Sequence, residues 1–310
     1  MRLFCLLTVS LFILSSFVTN ASLFASDPIR VLSINVRLST ANDGVNSWAN
    51  RRDFMTSIIV DGNYDFIGTQ ETIVHPDPEL NQVTFIAERL PGHGVYGRSR
   101  EVNPEFGEAM TIFYKRDRWK MDETDHETFW VSDTPDVPGS MVASAGNTRT
   151  VTAALFHEHK DGQLTGRSVY VYNTHLDHRS EAARRQGAKM LMDRIANRKN
   201  QDAPVIAMGD INSGEQSFAV RYIKGETITE DGQTWTPPYR LLSTFRERHP
   251  DATDVGTFNG FREPGRHGEA KIDYVFVSPG MTTLAAEIIR THRDGLFPTD
   301  HFPVDAEVMW

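Results

Sequence analysis

Pro204-Val205-Ile206-Ala207-Met208-Gly209-Asp210-Ile211-Asn212 runs a short apolar stretch into an abrupt polar end. Bounded this tightly, the run reads as a short buried strand. Asp210 and Asn212 share one side if the chain stays extended, because side chains alternate along a strand. A carboxylate there can hold a water or its proton, and an amide beside it can orient an oxyanion. Gly-Asp-x-Asn is also common in turns, so the stretch gains meaning only if other strands end the same way.

Others do. Residues 29–36 alternate, are rich in β-branched side chains and end near Asn35; residues 64–71 end in Gln70-Glu71; residues 168–175 end in Asn173-Thr174-His175. Residues 109–115, 149–157 and 271–277 read as further strands. Trp48 to Val60 has helical spacing, with Trp48, Met55, Ile58 and Ile59 on one face and Arg51, Arg52 and Asp53 off it. Helices are also expected over residues 79–89 and 180–197, the latter turning Ala183, Met190, Leu191 and Ile195 inward, and a loop over residues 134–147. No linker, repeat or low-complexity run divides the chain. One layered α/β or α+β domain over residues 26–310 is therefore expected. If its strands share a sheet, Asn35, Glu71, His175 and Asp210 converge on one cleft.

The residue types suit chemistry. Glu71 offers oxygen to a hard cation. Asp273, inside the apolar run Ile272-Asp273-Tyr274, is costly to bury without a partner, and His301 in Thr299-Asp300-His301 is the obvious one. Taken singly, each fragment reads as a surface acid, a capped turn or a core histidine. Six such fragments in order, nearly all at strand ends, are a poor match to coincidence.

These fragments resemble the endonuclease/exonuclease/phosphatase superfamily of metal-dependent phosphoesterases: Ser33-Ile34-Asn35, Gln70-Glu71, Asn173-Thr174-His175-Leu176, Gly209-Asp210-Ile211-Asn212, Ile272-Asp273-Tyr274 and Thr299-Asp300-His301. The set spans nearly all of the chain after its apolar start. It is specific for the superfamily and unspecific for substrate. The resemblance implies a four-layer α/β sandwich, two mixed sheets packed face to face and flanked by helices. It implies Mg²⁺ or Mn²⁺ on Glu71, with Asn35 and Asp300 beside it. Asp210 would orient or deprotonate the attacking water, and Asn212 would hold a phosphoryl oxygen. His301, steadied by Asp273, would offset transition-state charge, and His175 would contact phosphate. Gly107 to Tyr114 resembles the strand that carries a histidine-orienting carboxylate in some members, which marks Glu108 as the partner of His175. Asn173 joins the substrate contacts. Residues 43–52, 128–140 and 256–261 resemble a secreted bacterial branch.

Composition narrows the substrate without naming it. The 310 residues carry 32 basic and 41 acidic side chains, a net charge of −9. That excludes a polybasic nucleic-acid binder and weighs against unspecific DNA digestion. Arg149 could contact phosphate, and Trp48, Trp130 and Phe258 could wall the pocket. Arginines gathered on residues 179–198 read more simply as a solvated helix side. Residues 3–17 are almost wholly apolar behind Arg2, the layout of a signal peptide over residues 1–25, so a secreted or periplasmic protein is expected. Cys5, the only cysteine, falls inside it and leaves the mature chain without a thiol. No later segment is apolar enough to cross a membrane. The expected partner is a phosphate-ester substrate (small molecule, lipid headgroup or nucleic acid), with no obligate protein partner. A nuclease and a non-catalytic binding module that kept the fold are the alternatives. A serine hydrolase lacks its Gly-x-Ser-x-Gly elbow.

Overall fold

The computed structural model describes residues 27–262, 265 and 267–310. The expected leader lies outside them. In chain order the elements are β1 (Ile29–Asn35), α1 (Trp48–Gly62), β2 (Phe66–Val74), α2 (Gln82–Arg89), β3 (His93–Tyr96), β4 (Gly107–Lys115), β5 (Trp119–Trp130), β6 (Thr150–Lys160), β7 (Gln163–His175), α3 (Glu181–Ala196), β8 (Val205–Asp210), α4 (Phe218–Ile223), β9 (Ile228–Glu230), β10 (Gln233–Trp235), β11 (Leu242–Ser243), α5 (Thr244–Arg248), β12 (Asp273–Val277), β13 (Thr282–Ile288) and β14 (Val304–Met309). Two six-stranded sheets form, in the orders β13-β14-β1-β2-β4-β3 and β11-β12-β8-β7-β6-β5. Both are mixed: β1–β2 and β7–β8 are parallel, and their other pairings are antiparallel.

Burial of apolar faces accounts for the layers. Val31, Phe66, Ile112, Phe156, Val171, Met208 and Val275 fill the space between the sheets. Leu191, Ile195, Val220 and Ile223 from α3 and α4 cover the outer face of the second sheet. Met55, Ile59, Phe85 and Ile86 from α1 and α2 cover the first. The architecture is the expected four-layer sandwich. Among the described residues, no helix is long and apolar enough to cross a membrane.

Local differences have physical reasons. The second helix begins at Gln82 rather than Glu79, because Asn81 caps it by accepting from Thr84 N at 3.0 Å. In α1, Ile58 is half-buried while Arg51 is wholly enclosed. Strands β3, β13 and β14, which complete the first sheet, were not anticipated. Gly209 is needed where it stands. Its φ of 147° and the 1.9 Å that would separate an added Cβ from Thr174 O leave no room for a side chain beside β7.

Candidate active site

Register brings the polar tips together. His175 lies opposite Asp210 across β7–β8, and Asp273 lies opposite Asp210 across β12–β8. Asn35 lies opposite Gln70 across β1–β2, and a bulge between Thr69 and Thr72, where Glu71 takes a φ of 56°, breaks the pairing with β4. A bulge of this kind re-aims a side chain, here toward Asn35 and the loop after β1. The result is a cleft of about 490 Å³ whose lining includes Glu71, Glu108, His175, Asp210, Asn212, Phe258, Asp300 and His301.

Asp210 is the hub. Its Oδ2 accepts from Asn35 Nδ2 at 3.2 Å and faces His175 Nε2 at 3.4 Å and His301 Nε2 at 3.9 Å. Its Oδ1 accepts from Asn212 N at 2.8 Å. Burial pushes its carboxyl above the usual carboxylate range and Asp273 adds to this, while the two imidazoles pull the other way. Each imidazole is steadied by an acid: His301 Nδ1 lies 2.9 Å from Asp273 Oδ2, and His175 Nδ1 lies 3.2 Å from Glu108 Oε1. Burial opposes charge on His301, but Asp273, Asp210 and Asp300 outweigh it and hold the ring well above its ordinary pKa. Burial likewise opposes charge on Glu108, and Arg100, His175 and Arg149 bring it down to about 2.

A second acidic centre adjoins the first. Glu71 accepts from Asn35 Nδ2 at 3.0 Å and Leu38 N at 3.3 Å. The Arg37 guanidinium lies 3.8 Å from Glu71 Oε2 and 3.7 Å from Asp300 Oδ2, while its main partner is Asp43 at 2.9 Å. Burial first, then Glu71, raises the Asp300 pKa against the pull of His301 and the arginines. Two carboxylates facing one partly exposed cation form a donor set that fits a hard divalent ion, with Arg37 standing near the place such an ion would take. Asp210, Asp273 and His301, within 4.8 Å of one another, could also hold an ion. Asn35, expected beside the ion, adjoins both Glu71 and Asp210. Arg37 N donates to its Oδ1 at 3.0 Å, which turns the amide N–H₂ toward Glu71 and Asp210 and makes Asn35 an aligner of both carboxylates.

Three expected substrate contacts lie elsewhere. Asn173 is fully buried one alternation deeper than His175, donating to Thr69 O and Thr111 O at 2.9 Å and accepting from Gln70 at 2.7 Å. Its amide stitches the two sheets together. Trp48 is 3% exposed and packs edge-on against Phe85 in the helix layer, because the first turn of α1 faces α2 and not the cleft. Trp130 is buried too, donating to Arg100 O at 2.7 Å. Phe258 does line the cleft, edge-on to His301 with ring centres 5.1 Å apart. Arg149 lines its far end, 4% exposed. On α3 and beside it, Arg184, Arg185 and Arg194 pair with Glu181, Glu230 and Glu127. A depression of about 470 Å³ near Tyr170 and Arg194 gathers no comparable convergence of strand ends.

Arg51 escaped the sequence reading, which put it on the polar side of α1. Its guanidinium donates to Val36 O, Arg37 O, Asn46 O and Pro298 O at 2.7–3.1 Å, tying the loop after β1 to the approach to Asp300. Burial brings its pKa down to about 10, so it stays cationic at neutral pH. Arg51→Met is expected to destabilise the fold by about 3 kcal/mol, read as a lower urea midpoint, because it strands several enclosed carbonyls at once. An unchanged midpoint would contradict that role.

Solved structures of similar shape place this arrangement among known proteins. An endonuclease/exonuclease/phosphatase family protein of Bacteroides thetaiotaomicron is 27% identical, with a TM-score of 0.73 over 91% of this chain and 98% of that one. One from Bacteroides vulgatus is 26% identical, with a TM-score of 0.75 over 92% and 99%. A mannosyl-6-phosphatase of Bacteroides thetaiotaomicron is 26% identical, with a TM-score of 0.73 over 91% and 100%. No curated protein matches the chain. The match to the family's own sequence pattern runs over residues 32–301, from β1 to His301, and on that span the chain belongs to the Endonuclease/Exonuclease/phosphatase family.

Proposed function

We propose that this chain is an exported, divalent-metal-dependent phosphoesterase that hydrolyses phosphate esters by in-line attack of a water held on Asp210. The observation that carries the reading is the position of Asp210, a carboxylate facing two imidazoles and linked through Asn35 to Glu71. Its raised pKa suits a group that must accept a proton near neutral pH. His301, kept cationic by Asp273, faces the charge that builds on the phosphoryl oxygens. His175, oriented by Glu108, contacts phosphate from the opposite side. Asn212 keeps one amide N–H for an oxygen of the substrate after donating the other to Leu176 O at 3.0 Å. Glu71 and Asp300 would hold Mg²⁺ or Mn²⁺, and when bound the ion offsets phosphoryl charge.

Phosphomonoesters of small polar alcohols are the first substrates to try, given the mannosyl-6-phosphatase of similar shape. An acidic surface fits them better than long nucleic acids. The apolar stretch behind Arg2 supports export.

The test is a panel of sugar phosphates, p-nitrophenyl phosphate, its bis ester, DNA, RNA and sphingomyelin. EDTA is expected to lower turnover at least about 10²-fold, with recovery on Mg²⁺ or Mn²⁺. Turnover indifferent to chelation would overturn the metal assignment. No hydrolysis of any ester with either ion would favour a binding module instead.

A further inference from the structure

We propose that the Arg149 end of the cleft is a second anion subsite. It takes a phosphate or carboxylate of the substrate other than the ester being hydrolysed. This rests on the phosphoesterase reading and narrows it to substrates with two anionic groups.

The case begins with hydrogen-bond supply. Arg149 is 4% exposed and lines the cleft, yet among the described residues no atom accepts a hydrogen bond from its Nε or Nη1. Its one side-chain hydrogen bond runs from Nη2 to His178 Nδ1 at 2.9 Å. Burial and Arg149 itself keep the His178 pKa below its ordinary value, so that nitrogen remains an acceptor. The nearest carboxylates are committed elsewhere. Asp177 lies 3.7 Å from Arg149 Nε but already accepts four backbone N–H groups, from Gly146, Asn147, Arg179 and Ser180. Glu108, 3.8 Å from Arg149 Nη1, gives Oε1 to His175 and Oε2 to Arg100 at 2.9 Å.

Arg100 also lines the cleft; its Nη1 lies 2.9 Å from Glu108 Oε2, and it adds a second positive charge to that end. Leaving enclosed guanidinium N–H groups without hydrogen bonds is costly, so a structural role alone is a poor account of Arg149. An oxyanion answers the need, since guanidinium N–H groups match phosphate and carboxylate geometry. The place also fits a second group. Between Arg149 and Asp210 stand the Glu108 carboxylate and the His175 ring, joined by successive approaches of 3.8, 3.2 and 3.4 Å. The residues that bind the reacting ester and those that would bind its neighbour are thus distinct.

The experiment titrates EDTA-stripped protein with butylphosphonate and with its ω-phosphonate and ω-carboxylate derivatives, by calorimetry. Wild type is expected to bind at least one derivative about tenfold or more tightly than butylphosphonate. The better derivative tells a phosphate site from a carboxylate site. Arg149→Met is expected to lose the preference and Arg149→Lys to keep part of it. Arg100→Met serves the same purpose should Arg149→Met fail to fold. A merely structural arginine would weaken all three ligands alike. No preference in wild type, or one that survives both methionine variants, overturns the subsite, and hydrolysis of simple esters in the same preparation leaves the phosphoesterase reading standing. Failure of every ligand to bind, together with no hydrolysis, overturns both.

Discussion

Asp210→Asn is expected to cut kcat by about 10³-fold while leaving the protein folded. The amide nearly matches the carboxylate in size but cannot take a proton from water. It also sets an N–H₂ against one of the two donors Asn212 N and Asn35 Nδ2, which now approach separate oxygens at 2.8 and 3.2 Å. Ground-state cost is modest, because the native carboxylate is itself unfavourably placed. It is 1% exposed, and burial and Asp273 both work against its charge. Removing a charge held under strain offsets part of the lost hydrogen bonding. The melting temperature is therefore expected to stay within about 4 °C of wild type, the shift that about 1 kcal/mol gives a chain of this size. The two readouts separate catalysis from folding. Activity within tenfold of wild type would remove Asp210 from the mechanism.

Much of this site could be read in advance because it is built on strand ends. An apolar run that stops at a polar residue marks both a strand and its tip, and Asn35, His175 and Asp210 sit at such stops, while β2 runs on past Glu71 through a bulge to Val74. The Asp273–His301 pair followed from a charge inside an apolar strand, which needs a counter-charge. Depth and direction are harder. Asn173 and His175 share a face by alternation, but nothing local says that the sheets close over the first and part before the second. Trp48 sits on an apolar helix face, and sequence spacing does not reveal which neighbour that face meets. Long cations are harder still. Arg37, Arg51 and Arg100 reach their partners through tertiary geometry, and a helical wheel puts Arg51 with the solvent. Strand β14 alternates buried Val304, Ala306 and Val308 with partly exposed partners, yet has no polar tip, so the strand-end criterion passes over it.

Asp273→Asn is expected to lower kcat by about 10²-fold and to move both limbs of the kcat–pH profile toward acid. The direction follows from what Asp273 does to its neighbours. Its Oδ2 lies 2.9 Å from His301 Nδ1, and after opposing burial it is the foremost influence raising that ring's pKa. Without it the imidazolium gives up its proton at lower pH, so the alkaline limb moves down. Asp273 also raises the Asp210 pKa, second to burial, so its loss lets Asp210 ionise sooner and the acid limb moves down as well. A residue that only supported the fold would scale the profile without displacing it. Stability should carry the same sign. His301 binds its proton more tightly folded than unfolded, so its contribution is complete below the unfolded value of about 6.5 and fades as pH climbs through the higher folded value. Urea midpoints of wild type should therefore decline on the alkaline side, and those of Asp273→Asn should decline less. An alkaline limb left in place by the substitution would mean that His301 does not carry the charge on which the mechanism depends.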